Sequence, residues 1–164
     1  MGVAVRARRT GDLPVLLALL QRTHEDEGYP VRASAVHADW LASPHELGGW
    51  VAVDQARLLG HVALHPARGP ALPLWSEGSG RDAEALAVVS RLFTDRTVRG
   101  AGTQLLAHAA AEARHRGRVP VLEVDVQSPA LSFYLRRGWQ QVDTVVQQWG
   151  HRTVETAALV SLTG

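Results

Sequence analysis

A short glycine-rich turn, Arg99-Gly100-Ala101-Gly102, is the stretch of this sequence whose residue types and spacing are best suited to chemistry. It follows an apolar run and precedes a helical pattern. The first N–H groups of a helix have no partner within the helix, and the helix dipole favours negative charge there. Glycine also lets a phosphate approach the backbone closely. The turn therefore predicts an anion site, although the same pattern is typical of an ordinary strand-to-helix connection.

Two common phosphate-binding motifs do not fit this turn. A P-loop requires Gly-Lys-Ser/Thr, and the chain contains no lysine. A dinucleotide fingerprint requires a third glycine, but Gly102 is followed by Thr103-Gln104-Leu105. Neither motif therefore explains the turn.

The elements on either side of the turn are a strand and a helix. Residues 85–93 are almost continuously apolar, which is typical of a strand buried on both faces. After the turn, apolar residues recur on one helical face as far as Arg116, and Gly117 ends the helix. The residues on that face are Leu105, Leu106, Ala109, Ala110 and Ala113.

The rest of the chain predicts a mixed α/β protein. The predicted strands cover residues 3–8, 50–53, 58–64, 119–126, 141–149 and 154–162, and the other predicted helices cover residues 13–24, 34–41 and 129–138. Residues 66–82 are rich in proline and glycine without a clear period, so they are predicted to be a long loop with a short turn around Leu74-Trp75. Loops of that length are often functional.

Length and composition predict one domain, residues 1–164, large enough to bury a core without disulfides. The chain has no cysteine, and its formal net charge of +1 gives no general attraction to nucleic acid or membranes. Its first residues lack the apolar core of a signal peptide, and no apolar run reaches the length of a membrane span. We therefore expect a cytoplasmic protein with no membrane partner. Action on nucleic acid is a further alternative that the sequence disfavours, because its basic residues form only short clusters and no basic stripe.

Two sequence motifs resemble those of the GNAT superfamily of N-acetyltransferases. Leu92-Phe93-Thr94 followed by the glycine turn resembles the family's pyrophosphate loop, and residues 127–139 (QSPALSFYLRRGW) resemble its Asn-x-x-Ala-x-x-x-Tyr-x-x-x-Gly-Phe/Trp signature. The resemblance covers nearly the whole chain. It implies a mostly antiparallel central sheet of about seven strands with helices on both faces.

The glycine turn departs from the family pattern in two alternative ways. If Arg99 is aligned with the family's Arg/Gln, the last Gly/Ala of the motif is missing. If Leu105-Leu106 is aligned instead, the glycines match but Thr97 replaces the Arg/Gln. Both alignments keep residues 99–103 in the loop. Gln127 stands where the family often has asparagine.

The resemblance implies an acetyl-CoA-dependent enzyme that acetylates an amine. The implied cofactor-binding residues are Leu92, Phe93, Thr94, Arg99, Gly100, Ala101, Gly102, Thr103, Gln104, Gln127 and Ala130. Tyr134 occupies the family's tyrosine position near the thioester sulfur. Because a phenol is protonated at neutral pH, Tyr134 is the candidate general acid.

The general base is left open by the sequence. Glu123 and Asp125 share one face of a strand, His61 and His65 lie on or near another strand, and Glu25 lies in an acidic cluster. A water relay would leave no signature. We expect no metal site, because the histidines lack HExxH spacing and no acidic loop has EF-hand spacing.

The acceptor is expected to be a primary amine of a small molecule. Glu25, Asp26 and Glu27 precede Tyr29, and an ammonium group is attracted by such charges and by an aromatic face. The long loop over residues 66–82, with Trp75, is an alternative location for the acceptor site. A non-catalytic acyl-CoA sensor is the alternative function, and a homodimer is one assembly that we consider.

Overall fold

The computed structural model describes residues 2–27 and 36–162, which form seven strands and five α-helices. The strands are β1 (Ala4–Ala7), β2 (Gly48–Asp54), β3 (Arg57–Pro66), β4 (Leu86–Thr94), β5 (Val119–Asp125), β6 (Gln140–Trp149) and β7 (Arg152–Val160). The helices are α1 (Leu13–Glu27), α2 (Ala38–Leu41), α3 (Leu72–Ser79), α4 (Ala101–His115) and α5 (Ala130–Leu135).

The strands form one sheet in the order β1-β2-β3-β4-β5-β7-β6. The pairs β1–β2, β2–β3, β5–β7 and β6–β7 are antiparallel, and the pair β4–β5 is parallel. The predicted fold class, an α/β protein with a mostly antiparallel sheet of about seven strands, is therefore confirmed.

The chain divides into two compact units, each with its own hydrophobic core. The first unit contains the residues up to His65 together with Ser90–Ala109, and the second contains Pro66–Val89 and the residues from Ala110 onward. In the first unit the apolar face of α1 is buried; the core residues are Leu16, Leu19, Leu20, Leu41, Val51 and Phe93. Three of these leucines, Leu16, Leu19 and Leu20, lie on one face of α1, as expected for an amphipathic helix.

Helix α3 corrects the prediction of a long loop over residues 66–82. Pro73 lies in the first turn of α3, and Gly80 ends the helix in the left-handed conformation at φ +70°. Proline and glycine are favoured at these two helix ends, so residues that suggested a loop are the boundaries of a helix. Gly78 lies within α3, where a Cβ would clash with Val142 Cγ2 at 2.4 Å. Close packing therefore explains a glycine inside this helix.

Helix α1 is longer than predicted and continues to Glu27. The acidic residues Glu25 and Asp26 therefore belong to its last turn rather than to a connecting loop. The predicted second helix, residues 34–41, corresponds in the described part of the chain to the short α2. Its first two residues lie outside the described residues. Across the described residues, no helix is long and apolar enough to cross a membrane.

Candidate active site

The turn between β4 and α4 is fixed by Asp95. One carboxylate oxygen of Asp95 accepts hydrogen bonds from the backbone N–H of Thr97 at 2.9 Å and from its hydroxyl at 2.6 Å. The other oxygen accepts one from Arg57 Nη2 at 2.6 Å. These bonds, above all the one from the Thr97 hydroxyl, lower the pKa of Asp95. Thr97, which replaces the family's Arg/Gln in one alignment, is thus used to build the turn.

The glycine turn leads directly into α4, as the sequence predicted. Gly100 has φ +93°, a conformation that side chains rarely adopt, and its carbonyl accepts the first helical hydrogen bond, from Gln104 N at 3.1 Å. The N–H groups of Ala101 and Gly102 come before this first helical hydrogen bond and therefore have no acceptor within α4. Apart from Gly100 and its two chain neighbours, no atom of residues 2–27 and 36–162 lies within 4 Å of the position that a Cβ of Gly100 would occupy. Helix-start amides beside open space are features that favour the approach of an anion.

Arg91 interrupts the regular geometry of β4, since its φ is +50°. A non-glycine residue held there is strained, and such strain is common at functional sites. The Arg91 carbonyl lies 2.9 Å from His61 Nδ1, and its guanidinium donates from Nε to the Trp40 carbonyl at 3.1 Å. The guanidinium also lies 4.5 Å from the centre of the Trp40 ring. Nothing in the sequence motifs indicated this irregularity.

Gly60 is a second feature that the sequence reasoning missed. A Cβ at Gly60 would lie 2.7 Å from the Phe93 carbonyl and 3.0 Å from both Leu105 Cδ1 and Thr94 Cγ2. Glycine is therefore required where β3 passes the end of β4. An isolated glycine within an apolar strand signals such a close approach, so this position could have been found.

The parallel ladder of the sheet is short. Within the described residues, β4 and β5 pair over three positions, from Leu86–Val119 to Val88–Val121. The residues that the resemblance assigns to the thioester, Leu92–Thr94, come further along β4 than this ladder. Phe93 is buried, and its two neighbours are half-buried.

The entry to α5 is built by Asp125 and Ser128. Asp125 Oδ1 accepts from Gln127 N at 2.9 Å, and Ser128 Oγ accepts from Ala130 N at 3.1 Å. Gln127 is exposed and Ala130 is half-buried. Because Asp125 is used to shape this turn, it is a weaker candidate for the general base.

Tyr134, the predicted acid, is a half-buried residue of α5. Its ring packs edge-on against Phe133 at 5.4 Å and against Trp139 at 6.2 Å between ring centres. Burial raises the pKa of Tyr134 to about 12. The phenol therefore keeps its proton throughout the physiological range, which suits a proton donor and not a base.

His61 is fully buried and has a hydrogen-bond partner at each ring nitrogen. Nε2 lies 2.8 Å from Arg8 Nη1, and since a guanidinium only donates, Nε2 must accept. Nδ1 must then carry the proton that it donates to the Arg91 carbonyl. Burial, with a smaller effect of the Arg8 charge, lowers the pKa of His61 to about 3. His61 is thus held neutral and cannot act as the base.

His65 and Glu123 are two other base candidates, and both are hydrogen-bonded but less buried than His61. His65 Nδ1 lies 2.6 Å from the Ser90 hydroxyl in the first unit. Glu123, in the second unit, accepts from the Thr156 hydroxyl at 2.8 Å, and burial raises the pKa of Glu123. No sequence motif indicated that Ser90 would be the partner of His65.

The residues predicted to bind the acceptor have different surroundings. Glu25 and Asp26 are exposed, and Glu25 accepts from Gln21 Nε2 at 2.8 Å within α1. Tyr29 lies outside the described residues. Trp75 lies in the core of the second unit at 1% exposure, where its Nε1 donates to the Leu122 carbonyl at 3.0 Å. That position leaves Trp75 almost no surface for an acceptor.

The described residues, 2–27 and 36–162, contain no group of three or more His, Asp or Glu side chains that could hold a metal ion.

Comparison with known families identifies the class of protein. A sequence model described as the acetyltransferase (GNAT) family matches residues 13–139, well over half of the chain. The chain belongs to the GNAT family of acetyltransferases. The predicted family and enzyme class are therefore confirmed. No curated protein sequence gives a significant match.

Solved structures with the same fold are numerous and distant in sequence. A ribosomal-protein-alanine N-acetyltransferase from Brucella melitensis is 22% identical with a TM-score of 0.70, covering 96% of this chain and 98% of its own. An N-acetyltransferase from Staphylococcus aureus Mu50 is 17% identical with a TM-score of 0.73, covering 98% of both chains. Arabidopsis thaliana NAA60 in complex with acetyl-CoA is 18% identical with a TM-score of 0.72, covering 97% of this chain and 98% of its own.

Proposed function

We propose that this protein transfers an acetyl group from acetyl-CoA to the primary amine of a small molecule. The observation that carries the proposal is the start of α4. There a strand, a positive-φ glycine and a helix of 15 residues follow one another within the family's pyrophosphate-loop motif. Structures of relatives with acetyl-CoA bound support the choice of acyl donor.

The glycine turn would hold the pyrophosphate through backbone amides. Ala101, Gly102 and Thr103 begin α4, so their N–H groups point out of its positive end. The exposed Arg99 precedes them and would add positive charge. The open space beside Gly100 fits the close approach of a phosphate. Gln104, Gln127 and Ala130 complete the proposed cofactor contacts from the two motifs.

The reaction would be a direct transfer, with Tyr134 as the donor to the departing sulfur. Bound acetyl-CoA supplies an acyl thioester that is open to attack by an amine. Backbone N–H groups of Leu92–Thr94 would donate to the carbonyl oxygen as it becomes negative. Tyr134, with its pKa of about 12, holds the proton that a thiolate requires.

The acidic end of α1 would favour cationic acceptors. Glu25 and Asp26 are exposed there, and exposed carboxylates attract an ammonium group at low ionic strength. Tyr29 stays in the proposal as an aromatic contact, while the buried position of Trp75 removes our reason to include it.

The test measures binding and turnover separately. Acetyl-CoA is titrated by calorimetry, and CoA release is followed with a panel of spermidine, histamine, free L-amino acids and an alanine-initiated tetrapeptide. We expect a raised thermal midpoint with acetyl-CoA and turnover of a small amine. Turnover of the tetrapeptide alone would contradict the small-molecule acceptor. Tight binding without turnover of any panel amine would contradict catalysis and favour an acyl-CoA sensor.

A further inference from the structure

His65 and Ser90 form a polar pair between neighbouring strands of the first unit. His65 lies near the end of β3 and Ser90 lies within β4, and both are half-buried. The distance from Ser90 Oγ to His65 Nδ1 is 2.6 Å. Arg91, the strained residue next in the chain, donates from Nη1 to Ser90 Oγ at 3.3 Å. The hydroxyl therefore bridges an imidazole and a guanidinium.

The chemistry of the guanidinium fixes the direction of one of these hydrogen bonds. A guanidinium has donors only, so Ser90 Oγ accepts from Arg91. The direction of the bond between Ser90 and His65 depends on the imidazole tautomer. When the neutral imidazole carries its proton on Nε2, the Ser90 hydroxyl donates to the lone pair of His65 Nδ1. The Ser90 oxygen is activated by a base behind it, in the way that a histidine activates a catalytic hydroxyl.

The position of Ser90 on β4 gives the pair access to the proposed reaction. Ser90 is two residues before Leu92, the first of the residues assigned to the thioester. Two residues of a strand span about 7 Å, so a group held between these positions lies within reach of both. The positive φ of Arg91 alters the strand between them.

We propose that Ser90 and His65 form a proton relay that serves as the general base for the acceptor amine. The ammonium of the acceptor gives a proton to Ser90 Oγ while the Ser90 hydroxyl proton moves to His65 Nδ1. The products of this step are a neutral amine and an imidazolium. The amine nitrogen then forms the C–N bond and the C–S bond breaks. Tyr134 gives its proton to the departing sulfur, and the second proton of the amine nitrogen replaces the proton on Tyr134. His65 returns its proton through Ser90 to solvent. The relay rests on the proposed function.

The ionisable groups around the relay come from β3, from β4 and from the connections beside β1 and β2. Arg91 faces Ser90 from β4, and His61 interacts electrostatically with His65 from within β3. Arg8, in the chain just after β1, contacts His61 and pairs with Glu46. The pH dependence of the relay therefore has to be measured in variants that leave Arg8, Glu46 and His61 unchanged.

The experiment compares His65→Gln, which can still hydrogen-bond to Ser90 but cannot take up a proton, with Ser90→Ala and Ser90→Thr. His45→Gln is the matched control, since His45 is an exposed histidine of the same unit. The panel amine with the highest kcat/KM is used from pH 6 to pH 10. At pH 7 we expect kcat/KM to fall about 100-fold in His65→Gln and about 10-fold or more in Ser90→Ala. We expect Ser90→Thr to retain most of the activity.

The shape of the pH profile distinguishes a base from a structural residue. The deficit of His65→Gln should shrink towards pH 10, where the free amine loses its own proton, while the Kd of acetyl-CoA and the thermal midpoint stay near wild-type values. A deficit that is constant with pH would overturn the relay, as would wild-type turnover in His65→Gln or a loss confined to Glu123→Gln. Wild-type protein that acetylates no panel amine would overturn the proposed function, and the relay with it.

Discussion

Sequence motifs predicted both the turn before α4 and the helix α5. The turn contributes backbone groups to the candidate site, whereas α5 contributes a side chain. The turn presents backbone amides, and Gly100 contributes a conformation and a space rather than a functional group. Helix α5 presents one phenol, which Phe133 and Trp139 hold by ring contacts. The first region depends on the path of the chain, whereas the second depends on a single side chain.

This difference explains how the two regions tolerate departures from the family pattern. The glycine turn departs from the motif in either alignment, by a missing residue in one and by Thr97 in the other, yet α4 still begins at Ala101 after a positive-φ glycine. A backbone site survives such changes when the path is kept. A side-chain site has no comparable freedom. The predictions below test this contrast in order of decreasing effect.

Tyr134→Phe should have the largest effect. We expect kcat to fall about 100-fold or more, because the variant removes the proton donor and keeps the ring. The Kd of acetyl-CoA should stay within a few-fold of wild type. Steady-state kinetics with the best panel amine and calorimetry with acetyl-CoA measure the two quantities.

The pH profile provides a second check on Tyr134. Since the pKa of this phenol is about 12, its ionisation should produce no loss of kcat between pH 7 and pH 10. An alkaline loss in this range that disappears in Tyr134→Phe would contradict the assigned protonation state. Unchanged kcat in Tyr134→Phe, with chemistry rate-limiting, would make the tyrosine a packing residue.

Gly102→Val should raise the Kd of acetyl-CoA about 10-fold or more, with little loss of stability. Gly102 lies in the first turn of α4 and its φ is not positive, so the backbone accepts a side chain there. The branched side chain would instead occupy space near the phosphate. Gly102→Ala is the graded control and should give a smaller rise in Kd. Equal losses of stability and binding would count against a direct contact.

Gly100→Ala should act mainly on stability. Alanine at φ +93° is strained, and we expect a loss of about 1 kcal/mol in the free energy of unfolding. Denaturant unfolding measures this loss, and Gly2→Ala is a control at a position where a Cβ has open space and no positive φ. A Gly100→Ala protein as stable as wild type would show that the turn adapts to the side chain.

Glu25→Gln and Asp26→Asn should have the smallest effect. Both carboxylates are exposed, so we expect the acceptor KM of a cationic amine to rise about threefold at low salt and less at 0.5 M salt. A neutral-tailed amine is the control substrate. If the KM of spermidine in both variants equals that of the wild type at both salt concentrations, the end of α1 does not contact the acceptor.

Much of the fold could be predicted because its signals are local. Apolar periodicity located α1 and α4, and the apolar run located β4. The error at α3 has a physical cause, since Pro73 and Gly80 punctuate a helix as readily as a loop. The expectation that Trp75 contacts the acceptor has the same cause. A tryptophan in a loop would be exposed, whereas Trp75 in α3 packs into the core.

Less of the site could be predicted, because its details depend on partners distant in sequence. His61 and His65 are the same residue type on one strand, but they differ in burial and in their hydrogen-bond partners. Arg8 approaches His61 from 53 residues away, and Ser90 approaches His65 from 25 residues away. The strain at Arg91 is likewise a property of the folded backbone. No motif encodes these relations.

The burial of His61 makes the free energy of unfolding depend on pH under acidic conditions. In the folded protein this imidazole resists protonation down to about pH 3, whereas in the unfolded chain it takes up a proton near pH 6.5. As the pH falls below about 6.5, unfolding therefore absorbs a proton, and the free energy of unfolding declines by up to about 1.4 kcal/mol per pH unit. Above pH 6.5 the residue adds no pH dependence. The buried histidine thus limits the acidity that the protein withstands, and a glutamine in its place would remove that dependence on pH.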